Sequence, residues 1–462
     1  MSLDGLIKQL GSDIVVTEGQ TLIDIARDQW PRSSILARAG KSSLGARAVV
    51  RPRSTDEVAE ILRWADETTT PVVPVGGGSG VCGAVAVDDA VVLDTVNLNG
   101  IVDFDEKSHL VTAESGVTGP QLSDFLTERE VMLGHEPQSI SISTVGGWIA
   151  TRASGQLSAR YGGIEDLIAG FVAVLPGGRV ARHKVAPRRT AGPDVSSLMI
   201  GSEGTLGVVT EATLRFFSLP SDREDRCVTF DHMADGVRAC RLLAQSDLRP
   251  TLVRLYDADD TTLFMGSQAD PVSGPLLLLS FDGPHSIQRA DAAVDLAGGR
   301  RQDQRFVAHW WDHRNDAVDE FARIMKGEGL LGPHGVADTM EVAGSWSVLR
   351  DLYHSIKEAL AEHADFVGCH LSHVYPDGGC LYFTMASATP DDDAALETNQ
   401  KWWEVGMQSC LEVGGSISHH HGIGRLKAPW LDEELGGWRD VLVAVKRAVD
   451  PKGIMNPGGL GL

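Results

Sequence analysis

Three consecutive histidines, in Ser418-His419-His420-His421-Gly422, are the most conspicuous polar cluster of the chain. On an extended segment His419 and His421 point one way and His420 the other. Imidazole ligates metals and also moves protons near neutral pH. No cysteine or carboxylate beside the triplet completes a ligand set, so no metal is predicted. Proton handling and anion contact in a pocket is favoured over a buried, hydrogen-bonded trio. Tyr375, in Val374-Tyr375, and Tyr382, in Cys380-Leu381-Tyr382-Phe383, stand in strand-like runs. Each is either a packing residue or a phenol positioned to take a proton. A phenolate base near pH 7 requires a depressed pKa, which the histidines and an arginine are candidates to supply. Arg254, in Leu252-Val253-Arg254-Leu255-Tyr256-Asp257, points away from the side of Val253 and Leu255. It is a surface charge or an anion binder.

A second set of residues is suited to holding phosphate. Gly78-Ser79-Gly80-Val81-Cys82-Gly83 fits G-x-G-x-x-G after a strand-like run. The next residues, Ala84 to Asp94, alternate like further strand, so a dinucleotide Rossmann unit is not expected. Five glycines within positions 76–83 exceed what a turn needs. Without Cβ atoms, successive backbone N–H groups can converge on an anion, and a diphosphate cradle is predicted. Two more loops, Ser143 to Gly155 and Ile200 to Thr210, combine glycines with hydroxyls. Three such loops in one domain point to a large phosphate-bearing ligand.

The elements that must position these groups are read from periodicity. A helix begins after Ser54 or Thr55, with Val58, Ile61, Leu62 and Ala65 on one face. Residues 71–75, 90–94 and 109–113 read as strands, and Pro120 to Arg129 as a helix with proline in its first turn. Residues 166–216 add three strand-like runs. Beyond the charged segment Ser221 to Arg226 the texture changes. Helices such as 233–243 alternate with apolar strands such as 276–280, so a domain boundary is placed at 218–226. A last helix is read over 438–448.

Composition narrows the function classes. The 462 residues are 42% hydrophobic and 23% charged, a globular balance. The formal charge of −22 repels phosphodiester backbones, so nucleic acid is excluded as a partner. Six cysteines without zinc-ligand spacing read as reduced, mostly buried thiols. No basic-then-apolar leader and no run of about 20 apolar residues is found, so a cytoplasmic protein without a transmembrane segment is expected.

Longer stretches carry a resemblance. HEPQSISISTVGGWIATRASG (135–155), YGGIEDL (161–167), TAGPDVSSLMIGSEGTLGVVTEATLR (190–215), VRLYD (253–257), YPDGGCLYF (375–383) and SHHHGIGRLKAPWL (418–431), with the Gly76–Gly83 loop, resemble the FAD-binding domain of the vanillyl-alcohol oxidase family. Within it the chain is similar to the alkyldihydroxyacetonephosphate (alkylglycerone-phosphate) synthases over nearly everything after residue 45. The resemblance implies an α+β fold: a two-part FAD-binding domain, residues 1–219 with a C-terminal return at 426–462, and a central α+β cap domain, 220–425, over the flavin. It implies a homodimer, and FAD bound without a covalent link, since the first glycine loop holds Ser79 and no histidine. Pro74, Gly76, Gly77, Gly78, Ser79 and Gly80 would cradle the pyrophosphate. Pro137, Thr144, Gly147, Trp148, Thr151 and Ser154 would run beside the flavin, and Glu203, Gly207 and Val208 would lie near the adenosine or the ring edge.

The same resemblance implies a role in ether lipid biosynthesis. The acyl group of acyl-dihydroxyacetone phosphate is exchanged for a fatty alcohol through an adduct at flavin N5. Tyr382 would be the base, His419, His420 and His421 would share proton transfers, and Arg254 would hold the phosphate. Lys326 stands where the family carries a further pocket arginine. It keeps the charge but loses the two-pronged fork. The alternative is an FAD-linked oxidoreductase for a 2-hydroxy acid or a similar small anionic alcohol, with Arg254 on the carboxylate. A flavoprotein scaffold without catalysis is disfavoured by the concentration of ionisable groups.

Overall fold

A computed structural model describes residues 3–462. Helix Thr55–Thr68 is capped by the Ser54 hydroxyl, which accepts from the Glu57 amide, and it buries Val58, Ile61, Leu62 and Ala65. That face rests against a four-stranded sheet in the order Val15–Val16, Ala48–Val50, Val91–Asp94, Val72–Val75. The last three strands are parallel, buried on both faces, and accordingly almost all aliphatic. A second, antiparallel sheet of five strands runs Ile101–Asp105, Leu110–Glu114, Val208–Arg215, Ile168–Leu175, Arg179–His183. The C-terminal end returns to the first sheet. The Val72 amide donates to the Ile454 carbonyl, and the Asn456 amide to the Val72 carbonyl, both at 2.8 Å.

The third sheet positions the chemistry. Its seven antiparallel strands run Arg300–Gln302, Arg223–Thr229, Leu276–Asp282, Leu252–Tyr256, Phe366–Val374, Gly378–Ser387, Val336–Ser345. Alternation sorts its side chains onto two faces. Val253, Leu255, Cys369, Leu371, Leu381, Phe383, Met340 and Val342 pack into the largest core, beneath helices Met233–Ala244, Ser286–Ala297, Leu349–Ala361 and Asp392–Glu412. The opposite face carries Arg254, Tyr256, His370, Tyr382 and Glu341. Tyr256 stands opposite His370, His370 opposite Tyr382, and Tyr382 opposite Glu341, a polar row across four strands. All six cysteines are buried free thiols. Among the described residues no helix is long and apolar enough to cross a membrane.

Candidate active site

The row gains a member through a β-bulge. The register of strand Phe366–Val374 shifts between Leu371 and His373, and His373 pairs with Cys380. Strict alternation from Leu371 would turn His373 into the core. The extra residue puts it on the face of His370 and Tyr382 instead.

The histidine triplet folds over this face, held by one carboxylate. Glu341 is fully buried and accepts from the Ser418 hydroxyl at 2.9 Å and from the backbone N–H of His419, His420 and His421. Lys427 Nζ donates to the same carboxylate at 2.6 Å, and both side chains have no exposed surface. Burial alone would raise the Glu341 carboxyl. The Lys427 ammonium and the histidines beyond it outweigh burial and hold it down to about 2. The triplet is therefore not a regular extended segment with alternating sides. It is a loop wrapped around an anion, and all three rings come within reach of one another.

Ring contacts define the cluster. His419 lies 5.2 Å from His420 and His420 4.6 Å from His421, centroid to centroid. His373 is 4.8 Å from both His419 and His420. Tyr382 stacks on His370 at 4.8 Å and meets His421 edge-on at 5.4 Å. Tyr375 also joins, its hydroxyl 2.9 Å from His419 Nε2. Both tyrosines therefore reach the cluster. Tyr375 lies just past the end of strand Phe366–Val374.

Burial makes these groups neutral. Desolvation lowers His373 and His420 well below 6.5 and His421 to about 4, and lowers His419 as well, although Glu341 pulls the last two back up. Desolvation raises the Tyr382 phenol to about 12, with Thr339 and Arg254 working against it. A pre-formed phenolate at Tyr382 is thereby corrected: the positive charge nearby is too weak to offset a dry site. The neutral imidazoles are the better bases.

Arg254 faces this cluster rather than solvent. Its Nε donates to the Tyr256 hydroxyl at 2.9 Å and its Nη2 to His370 Nε2 at 2.6 Å, and its charge is felt at Tyr382 and His373. Two of five guanidinium N–H groups are thus engaged, and three stay available for an anion. Lys326 is not part of this site. It is exposed at the C-terminal end of helix Ala317–Met325, and no contact joins it to Arg254 or the histidines.

The absence of a ligand set beside the triplet is also corrected. His373, Cys380, His419 and His420 present ligand atoms all within 4.8 Å of one another. Cys380 and His373 are remote in sequence, and the paired strands bring them in. The same nitrogens cannot ligate a cation and accept a proton at once.

The glycine loop forms a tight cradle. A Cβ on Gly76 would lie 2.3 Å from Thr144 Oγ1, and one on Gly77 only 1.9 Å from the Ile142 carbonyl oxygen. Gly78, with φ +62°, has open space where its Cβ would be. The backbone of 76–78 therefore lies flush on the turn that starts helix Val145–Thr151, with one side free, as a phosphate cradle requires. Thr144 caps that helix by accepting from the Gly147 amide, and Thr151 back-bonds to the Gly147 carbonyl. Ser79 and Gly80 continue the loop, and the Gly80 carbonyl accepts from the Gln29 amide. Pro74 sits under Gly204 of the third loop, Pro137 starts the turn that leads to Ile140, and Ser154 is buried beside Gly163.

Four other residues expected near the cofactor have partners within the protein. The Trp148 indole is buried and donates to the Ser143 hydroxyl. Glu203 accepts from the Ile423 and Gly424 amides, clamping the segment just after the histidines, and its carboxyl is pushed by burial up to about 7. Gly207 packs on the Val174 carbonyl, and the Val208 side chain is committed to the core, leaving only backbone for a ligand. Sequence reasoning missed Glu341, Lys427, His370, His373 and Asp260. Only His373 carried a signal, as a histidine two residues before the stretch YPDGGCLYF (375–383).

Comparison with known proteins gives the family. An FAD binding domain matches residues 46–184, and the C-terminal domain of FAD linked oxidases matches residues 219–460. The uncharacterised FAD-linked oxidoreductase YgcU of Escherichia coli strain K12 is 31% identical over 477 residues, covering 99% of this chain and 97% of the relative. Alkyldihydroxyacetonephosphate synthase of Dictyostelium discoideum is 29% identical, covering 92% of this chain and 75% of that one. The glycolate oxidase subunit GlcD of Bacillus subtilis is 27% identical, covering 89% and 88%. A solved alkyldihydroxyacetonephosphate synthase superposes with a TM-score of 0.80 at 25% identity, over 99% of this chain and 85% of the other. The chain therefore belongs to the FAD-linked oxidases, with the α+β architecture of that family and FAD as its cofactor.

Proposed function

We propose that this protein oxidises a small anionic alcohol of the 2-hydroxy acid class. Residues 1–219 and 426–462 hold the cofactor, and 220–425 supply the substrate face. Bound FAD supplies the two-electron acceptor, and the cradle of Gly76, Gly77 and Gly78 against Thr144 holds its diphosphate. Arg254 binds the substrate's carboxylate or phosphate with its three unspent N–H groups. A neutral imidazole of the His373, His419, His420 and His421 group takes the hydroxyl proton. Tyr382, protonated, donates a hydrogen bond to the developing oxyanion. The observation that carries this reading is one arginine with free donors beside imidazoles that burial keeps unprotonated.

A second reading, exchange of an acyl group for a fatty alcohol on a dihydroxyacetone phosphate ester, is supported by the contact of Tyr382 with the triplet and by the similarity to the synthases. Against it stand the raised Tyr382 phenol and the exposed Lys326, which supplies no second cation beside Arg254 for a phosphate dianion. Anaerobic mixing with glycolate or D-lactate separates the two. Lasting bleaching of the flavin absorption is expected. An unchanged spectrum, with ether product forming from acyl-dihydroxyacetone phosphate and a fatty alcohol, would establish the second reading instead.

A further inference from the structure

Behind Arg254 lies a buried pair that no motif marks. Arg254 Nη2 is 2.6 Å from His370 Nε2, and His370 Nδ1 is 2.7 Å from Asp260 Oδ2. A guanidinium has donors only, so His370 Nε2 accepts. The ring is neutral, because burial and the adjacent Arg254 charge lower its pKa. Its proton therefore resides on Nδ1 and is donated to Asp260. His370 is 2% exposed and Asp260 0%, so no bulk water relieves a wrong tautomer. A Cβ on Gly368 would lie 1.9 Å from Asp260 Oδ1, so a glycine makes room for the carboxylate. Asp260 is set in the first turn of helix Ala258–Met265, its amide donating to the capping Asp257. His370 also stacks on Tyr382, so the orientation of its ring bears on two groups of the site.

We propose that Asp260 and His370 are positioning residues: Asp260 fixes the His370 tautomer, and His370 then holds the Arg254 guanidinium with its free N–H fork toward the substrate's anionic group. This rests on the reading of Arg254 as the anion holder. Without Asp260, nothing stabilises the proton on Nδ1. The alternative tautomer turns an N–H toward Arg254, donor against donor, and drives the guanidinium away.

The test titrates FAD-loaded variants with inorganic phosphate and with oxalate, reading the change in flavin absorption as a dissociation constant, with Tm measured alongside. Asp260→Ala should weaken binding by about 10–100-fold, what a hydrogen bond to a charged group is worth. His370→Gln should bind close to wild type, because its carbonyl accepts from Arg254 with no tautomer to fix, whereas His370→Leu should bind as poorly as Asp260→Ala. The decisive case is Asp260→Ala in the His370→Gln background. Binding there should match His370→Gln alone, while the Tm loss from the Asp260 cavity should persist in both backgrounds. Equal weakening in both backgrounds would mean that Asp260 acts through packing, and the proposal falls. It falls too where Arg254→Leu abolishes binding but Asp260→Ala leaves it intact. Should Asp260→Ala not load FAD, equal binding by His370→Leu and His370→Gln overturns the proposal. Wild-type binding by Arg254→Leu, or no saturable binding of either probe by the wild type, would instead overturn the reading of Arg254 itself.

Discussion

Replacing Glu341 by glutamine removes one charge from the best-buried ion pair of the site and one of the two acceptor oxygens that hold the histidine loop. The amide keeps the shape, but its one carbonyl can accept either from the His419 and His420 amides or from Ser418, His421 and Lys427, and its NH2 then faces the donors of the other side. What also changes is Lys427, whose ammonium has no exposed surface and would lose its carboxylate partner at 2.6 Å. The Trp403 ring, 5.8 Å away, offers only a weak cation–π contact in return. Breaking one side of a buried pair costs ~3–5 kcal/mol, because the remaining charge stays desolvated. With an unfolding entropy near 2.1 cal/mol/K per residue, a cooperative chain of 462 residues loses about 1 K of Tm per kcal/mol, so a fall of ~3–5 °C is expected. Thermal unfolding of the FAD-loaded protein, followed by near-UV circular dichroism, measures it. Adding Lys427→Met to Glu341→Gln removes the stranded charge and should recover part of the loss, the mismatched loop donors keeping the rest. A Glu341→Gln protein that melts with wild type, or a double variant that melts below the single one, would refute the account of the loop as held by this pair.

Acid precipitation should release FAD into the supernatant, because the first glycine loop offers no histidine for a tether; a yellow pellet would contradict this. Tyr382→Phe should lower turnover by roughly 10²–10⁴-fold at matched FAD occupancy, the scale of a positioned proton-transfer or oxyanion group. Tyr375→Phe, which loses the bond to His419, should cost less; wild-type turnover by Tyr382→Phe would remove it from the chemistry. The cluster histidines are depressed on folding, so only the unfolded chain takes up their protons near pH 6.5. Stability should be full above pH 6.5 and fall as the pH drops toward about 4, where His421 titrates, and the acid limb of kcat/KM should lie below 6.5; a limb at or above 6.5 would show a solvated imidazole as the base. Elemental analysis should find substoichiometric metal, since proton transfer needs the imidazole nitrogens free; one tightly held zinc per chain would reassign His373, Cys380, His419 and His420 as ligands.

Much of this protein can be read from local chemistry. Glycine runs, hydroxyl caps and the alternation of aliphatic strands depend on backbone sterics and short-range hydrogen bonds, and so they are legible in order along the chain. The helix after Ser54, the cradle at Gly76 to Gly80 and the sidedness of Arg254 are of this kind, as is the presence of a histidine triplet. What the triplet becomes depends on residues far away. Glu341 is an unremarkable glutamate in a strand, yet once buried it must collect donors, and the amides of His419 to His421 are those donors. A one-residue bulge turns His373 toward the site, against the alternation that its neighbours predict. Asp260 reaches the same face through His370 and Arg254 on two other strands. The protonation states obey the same logic, because desolvation exists only after packing. It keeps the Tyr382 phenol protonated and the histidines neutral, the reverse of what nearby cations would have suggested for the tyrosine. Lys326 marks the opposite limit: its charge was legible, but its place on an exposed helix end was set by how the chain folds around it.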